Sequence, residues 1–484
     1  MFTPYFPALR SRLAALGRRT TQTLRQATLS QIQEHLRNVL PPPLLSATDE
    51  GPNSRDRVFN VRFTFECFVW QLLKPGTSCR EVVRHVQALL RLLGRAVIDE
   101  GDSAYVQARQ RLPRERWEQA LSLTALAAER RVGSGGQLQG RPVKVVDGSS
   151  TQLADTRPNQ KAYPQHSSQK RGCGFPLMKF VVLFSLCSGA VLNLMMGNYH
   201  CHDLRLLRGL WECLRKDDIL LGDRAYGEYT TLASLPRQGV DVVARLHHAR
   251  KVDFRKARRL AKNDGLFVWR KGGQHSQILA ADEGALLPAE ITVRIVRFTA
   301  TIRGFRSRRI TLVTTLLDAE LYPAQELVAL YARRWRLELC LRDLKTTMGM
   351  EELRCKTPEM AEKELLAYLV THNLVRCVIA EAVARYQVDR ERVSFKGSVD
   401  ALRQYSDAIG KARNQAMRQQ LWEDLLLNLA RDVVRLRPNR REPRAVKRRP
   451  KPYPLLNQPR RQFVEISHRS RYWKGRPRNY RGLN

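Results

Sequence analysis

The chain has 484 residues, 43% hydrophobic and 27% charged, enough for two or three folded units with a sizeable core and unlike a disordered polymer. Lys and Arg number 84 against 46 acids, a formal net charge of +38, and a field of that size suits a polyanion, with nucleic acid ahead of an anionic membrane surface. Nine scattered cysteines without a CxxC pair argue against a zinc ribbon or disulfide framework, so the expected location is a reducing cytoplasm.

In chain order, residues 1–54 form a basic N-terminal arm, in which Leu13-Ala14-Ala15-Leu16-Gly17 is too short for a secretory signal. Residues 55–135 read as a helical DNA-binding domain. Ser78 caps a helix running to about residue 93, with Glu81 at the capping-box position. A second helix from Ser103 carries Tyr105, Gln107, Arg109 and Arg111, compatible with a DNA-reading helix-turn-helix and equally with an ordinary helical hairpin. Gly133-Ser134-Gly135-Gly136 marks a linker.

Residues 141–246 change pattern. A buried strand over 142–146 ends in Asp147-Gly148-Ser149, and strands over 179–186 and 190–197 form a hairpin around Cys187-Ser188-Gly189, so that apolar run is no membrane span. A helix over 203–215 leads to a short strand, 219–221, that ends in Gly222-Asp223-Arg224. Another strand covers 240–245. His200-Cys201-His202 makes a poor metal set, because adjacent residues of a strand point to opposite faces.

Residues 247–320 are strand-rich and basic, with Arg303, Arg306, Arg308 and Arg309 expected at a hairpin that clamps phosphates or is merely solvated. After Pro323, one long helix is expected over 324–347, and further helices fill 321–434. The tail, 435–484, holds 17 Lys and Arg, 2 acids and seven prolines, and reads as extended or disordered. Its Tyr453, Phe463, Tyr472, Trp473 and Tyr480 suit non-specific nucleic-acid binding. No internal repeat is apparent.

Three acids stand in informative places. Asp147 and Asp223 follow apolar strands, where open α/β sheets gather active-site groups. Glu338 sits in a helix crowded with Arg and Lys. Hard cations take oxygen ligands, and three carboxylates can hold two magnesium ions, with Mn2+ as a substitute, for in-line attack on a phosphodiester. At about 100° per residue, Tyr331, Arg334, Glu338 and Lys345 fall within roughly 60° around the helix axis. The opposite side, Leu327, Leu330, Leu337, Leu341 and Leu344, is apolar. A purely solvated salt-bridged helix would not need that apolar side.

Tyr331-x2-Arg334-x3-Glu338-x6-Lys345 resembles the signature of DDE transposases of the insertion-sequence-four family, and Asp147-Gly148-Ser149 and Gly222-Asp223-Arg224 are similar to that family's two aspartate motifs. The resemblance spans about 55–435. It implies an α/β fold: a ribonuclease-H-like mixed sheet flanked by helices, with a β-rich insertion at 247–320 and a helical N-terminal domain. It further implies that Asp147, Asp223 and Glu338 are the catalytic metal ligands and that Tyr331, Arg334 and Lys345 contact DNA phosphates. Arg224 and Arg342 join them as DNA-binding candidates.

The implied activity is cut-and-paste transposition, with inverted-repeat ends and target DNA as partners, a homodimer on DNA and no membrane. A two-metal nuclease without strand transfer, or a non-catalytic DNA-binding derivative, are the alternatives. Some family members place a Trp on the last insertion strand to stack on a flipped base. The comparable strand here, 309–316, has none, and Trp269 on an earlier strand reads as a packing residue.

Overall fold

The computed structural model describes residues 39–46, 58–92, 97–133, 137–272, 279, 281–300, 308–435, 456–459 and 462. Expectations for the N-terminal arm before residue 39, residues 134–136 of the linker, Arg303, Arg306, and the tail aromatics Tyr453, Phe463, Tyr472, Trp473 and Tyr480 lie outside these residues.

Among the described residues, a 3-10 turn at Pro42–Leu45 is followed by four helices: α1 (Val61–Leu72), α2 (Cys79–Leu92), α3 (Ser103–Arg111) and α4 (Arg114–Val132). Asn60 caps α1 by accepting from Phe63 N at 3.0 Å. Ser78 caps α2 by accepting from Glu81 N at 3.1 Å. Glu81 pairs with Lys74 at 2.8 Å, so the reciprocal half of the capping box is diverted to an ion pair.

Two of the four α3 residues singled out for reading DNA point inward. Tyr105 and Arg109 are buried beside Ala108, because their i, i+4 spacing puts them on the inward stripe. Tyr105 donates to Gln71 Oε1 at 2.9 Å. Arg109 donates to Cys79 Sγ and Cys355 Sγ, with its guanidinium 3.8 Å from the Phe68 ring centroid. Neither is available to read a base edge.

The chain then builds one nine-stranded sheet: β1 (Val143–Gln152), β2 (Leu177–Ser185), β3 (Val191–Asn198), β4 (Ile219–Gly222), β5 (Asp241–Arg245), β6 (Arg258–Ala261), β7 (Asp264–Arg270), β8 (Glu290–Ala300) and β9 (Arg308–Thr314). Its order is β3-β2-β1-β4-β5-β9-β8-β7-β6. β2 runs antiparallel to both β1 and β3, and β4 and β5 run parallel to β1. This five-strand unit is the mixed sheet expected of the ribonuclease-H-like part. The strand-rich block after residue 247 adds its four strands to the same sheet, through antiparallel pairing of β9 with β5. A fully buried Arg294 on β8 anchors that extension: it donates to Asp264 Oδ1 and Oδ2 at 2.8 and 2.5 Å, and to the backbone carbonyls of Asp318 and Tyr322.

The helix expected over 203–215 stops early, as α5 (Asp203–Arg208) followed by a 3-10 turn at Trp211–Cys213. Gly209 ends it, and Met195 packs where its side chain would be: a Cβ there would meet Met195 Cε at 2.7 Å. After β4 comes α6 (Tyr229–Ser234), capped by Glu228.

The single helix expected over 324–347 is segmented into α7 (Ala324–Arg333), α8 (Trp335–Arg342) and a π turn, Asp343–Thr347. Arg334 N donates to Tyr331 O and Leu337 N to Arg334 O, both three residues back, so the chain tightens at Arg334. Met348 N reaches five residues back to Asp343 O, so it widens afterwards.

Among the described residues, three further helices follow: α9 (Pro358–Tyr386), α10 (Phe395–Lys411) and α11 (Gln415–Arg431). By length and apolarity α9 alone, among the described residues, would cross a membrane, yet its apolar window is 83% buried inside the protein. It lies along α4, and Asn373 locks it to β3 by exchanging two 2.8 Å hydrogen bonds with the Val191 backbone. Phe65, Trp117, Val145, Leu221, Leu327 and Leu369 share one core, so the N-terminal helices are packed into the body of the protein.

Candidate active site

The strand register brings the two aspartates level. Along the β1–β4 ladder every partner is 76 residues on: Val143 with Ile219, Lys144 with Leu220, Val145 with Leu221. Two residues past Val145 and Leu221 come Asp147 and Asp223, again 76 apart. Alternation along a strand puts Asp147 on the side of Val143 and Val145, and Asp223 on the side of Ile219 and Leu221. Those four apolar residues belong to the core that also contains Leu327, Leu330, Leu337, Leu341 and Leu344 of the α7–α8 segment. Both acids therefore project toward the face covered by the helix of Glu338.

Asp147 is not at a strand end, as the apolar run suggested. β1 continues to Gln152, because its antiparallel pairing with β2 outlasts the parallel ladder with β4. Asp223 does follow the end of β4, and its Oδ1 accepts from Ala225 N at 2.7 Å.

Arg334 links strand to helix. Its Nη2 donates to Glu338 Oε1 at 2.9 Å, and its Nη1 stands 3.6 Å from Asp147 Oδ2. The side chains of Asp147, Arg334 and Glu338 are 21, 17 and 39% exposed, so the acids are reachable while the guanidinium is largely enclosed. Burial works against the Arg334 charge, but Tyr331, Asp147 and Glu338 outweigh it and hold the guanidinium above its usual range.

Burial, first of all, pushes the Asp147 carboxyl up to about 6. Asp223 and Glu338 add to the rise, and Arg334 and the Gly148 N–H oppose it. Both other acids thus act electrostatically on Asp147. Among the described residues, no three His, Cys, Asp or Glu side chains are already set as a metal-binding group; the guanidinium of Arg334 bridges two of the carboxylates.

Tyr331 is half-buried, its ring centroid 5.8 Å from the Arg334 guanidinium. Burial raises its phenol, Arg334 and Arg245 lower it, and Asp223 raises it again. Arg245, at the end of β5, therefore belongs to the surroundings of the site, which its sequence position alone did not indicate. Arg224 and Lys345 are partly exposed and Arg342 is exposed. The 100° projection that put Lys345 on the face of Tyr331, Arg334 and Glu338 does not carry through the π turn, where each residue turns by less.

Three further residues near the acids went unnoticed in the sequence: Tyr226, whose phenol feels Asp147, Asp203 and Asp223; Asp203 itself; and Lys179, which pairs with Asp203 at 2.7 Å. The one signal was the glycine next to each aspartate, Gly148 and Gly222. Trp269 is buried with Arg250 stacked 4.0 Å above its ring centroid, a packing role. His202 caps α5, accepting from Leu204 N at 3.3 Å.

Residues 138–374 match the family model of the transposase DDE domain. Over 408 residues the chain is 26% identical to the transposase InsG for insertion sequence element IS4 of Escherichia coli, an overlap of 81% of this chain and 87% of that protein. Among solved structures, the piggyBac transposase synaptic complex with hairpin DNA aligns with a TM-score of 0.41 and 10% identity, over 84% of each chain.

Proposed function

Given that the chain is a DDE transposase of the insertion-sequence-four type, an enzyme that cleaves DNA with divalent metal, we propose that Asp147, Asp223 and Glu338 hold two magnesium ions and that the enzyme performs cut-and-paste transposition. The observation that carries this reading is the shared strand register of Asp147 and Asp223, on the sheet face covered by the helix of Glu338.

The donor set fits the cofactor. Three carboxylates supply the oxygen ligands that hard cations require. Burial raises the Asp147 carboxyl, with Asp223 and Glu338 adding to the rise, and a bound dication would oppose it. When bound, the ions supply Lewis acidity at both the attacking and the leaving oxygen.

The protein's own groups do the rest. Asp147 and Asp223 fix the ligands on rigid strands, and Glu338 brings the third from a helix packed on them. Arg334 can exchange a carboxylate for a DNA phosphate without losing a charged partner, since a guanidinium donates to either in the same forked geometry. The Tyr331 phenol, Lys345, Arg224 and Arg342 extend the phosphate-binding surface. The N-terminal helices recognise inverted-repeat ends, two chains pair the ends, and the liberated 3′ hydroxyls attack target DNA. The setting is the nucleoid, in the cytoplasm.

The test is cleavage of a labelled inverted-repeat end fragment by the full-length protein in Mg2+, resolved on a denaturing gel, followed by a strand-transfer assay. Asp147→Asn, Asp223→Asn and Glu338→Gln should each abolish cleavage while retaining DNA binding. Normal cleavage by Glu338→Gln refutes the assignment, and cleavage without joining leaves a nuclease.

A further inference from the structure

The helix α2 has two unlike sides. Val82, Val83, Val86, Leu89 and Leu90 are buried in a core shared with Cys67, Tyr105 and Ala108. At about 100° per residue, Arg80, Arg84, Gln87 and Arg91 fall within roughly 60° of one another on the other side. The three arginines are exposed, and none has an ion pair or side-chain hydrogen bond among the described residues. Neighbouring acids do not neutralise them. Glu81 is taken by Lys74 at 2.8 Å, and Glu100 lines a cleft of about 280 Å³ with Arg80 and Arg84 yet pairs with neither.

This stripe works against its own helix. Arg80 and Arg84 are like charges one turn apart, and such i, i+4 pairs destabilise a helix. Arg80 also stands in the first turn, where the helix dipole disfavours a cation. A face kept for solubility would mix its signs, as Arg114 and Glu118 do on α4, paired at 2.7 Å. Three unpaired guanidiniums in line call instead for a partner that brings the anions.

The shape and chemistry of the stripe point to a DNA duplex. It is about 16 Å long, and a helix about 10–12 Å across fits a major groove about 12 Å wide. Guanidiniums fork onto phosphates and onto the O6 and N7 of guanine alike. The buried valines hold α2 rigidly beneath the stripe, as groove docking requires. The neighbouring helix offers no equivalent: the exposed residues of α3, Ser103, Ala104, Gln107 and Gln110, carry no charge, and Arg109 is buried.

We propose that α2 is the helix that enters the major groove of the transposon end, with Arg80, Arg84 and Arg91 as its DNA contacts. The inference rests on the reading that the N-terminal helices recognise inverted-repeat ends, and it names the element that does so. α3 then supports α2 from behind, through Tyr105 and Ala108.

The experiment measures binding of full-length wild type, Arg80→Gln, Arg84→Gln and Arg91→Gln to a labelled inverted-repeat end and to a shuffled duplex of the same composition. Fluorescence anisotropy is read over a salt series, with thermal unfolding in parallel. Each variant should bind the end about fivefold or more weakly, lose less on the shuffled duplex, and lower the slope of log affinity against log salt by about 1. Unfolding temperatures should hold, and rise slightly for Arg80→Gln and Arg84→Gln, because a like-charge pair is relieved. A merely structural role would lower them. Unchanged end affinity and slope in these variants, equal loss on both duplexes, or loss accompanied by a lower unfolding temperature overturns the proposal. Wild type that does not prefer the end to the shuffled duplex overturns the reading beneath it, a failure seen without any variant.

Discussion

Replacing Asp147 by Asn should stabilise the metal-free protein near neutral pH. The Asp147 carboxyl is raised from 3.8 to about 6 in the folded chain. A raised folded value contributes stability below the unfolded value, and that contribution is lost as pH rises through the folded one. Two units at about 1.4 kcal/mol each make roughly 3 kcal/mol by which the ionised carboxylate weakens the fold above pH 6. Asparagine keeps the acceptor for the Gly148 N–H, which donates to Asp147 Oδ1 at 2.9 Å, and carries no charge. For a chain of this size the gain amounts to roughly 3 °C. Thermal unfolding with chelator at pH 7.5 should show Asp147→Asn melting above wild type, and the gap should close as pH falls from 6 toward 4. Added Mn2+ should raise wild type and not the variant. A variant less stable than wild type at pH 7.5, or a gap that ignores pH, would refute the reasoning, because the Arg334 ion pair would then outweigh desolvation.

Arg334→Ala should weaken binding of an end fragment and reduce the slope of log affinity against log salt by about 1, one phosphate contact fewer; an unchanged slope in fluorescence anisotropy would place Arg334 off the DNA. Arg294→Ala removes one partner of a fully buried ion pair and should cost about 3–5 kcal/mol in urea unfolding, whereas Arg294→Met, which leaves a packed apolar stem, should cost less than Ala. Gly222→Ala should destabilise by about 1–3 kcal/mol through crowding against Tyr226, read from the same urea curves.

The acids and their helix were legible because each signal was local. An apolar run leading into Asp-Gly, a second leading into Gly-Asp, and a helix apolar on one side need only the periods of strand and helix to be recognised. What stayed hidden depends on partners distant in the chain. Tyr105 and Arg109 look like a DNA-reading pair until Gln71, Phe68 and Cys355 arrive to bury them. Nothing between residues 247 and 320 says that β9 will pair with β5 and make one sheet of nine strands. The break at Arg334 and the π turn after Arg342 are invisible to a fixed angle per residue. Tyr226 was overlooked because a lone aromatic three residues past an aspartate carries no spacing signal, and only the missing Cβ of Gly222 shows what it leans on.

The constant offset between β1 and β4 sets a rule of parity for this chain. Residues may be added to or lost from the stretch between Asn198 and Ile219 without disturbing which way Asp223 faces, since that stretch lies outside both strands. Removing a single residue from Ile219–Gly222 would instead turn the acid to the opposite side of the sheet and put Arg224 in its place before Glu338. The facing of Asp223 should therefore tolerate length change in the connection and not over four residues of strand, a contrast that a deletion scan would draw without any knowledge of the chemistry.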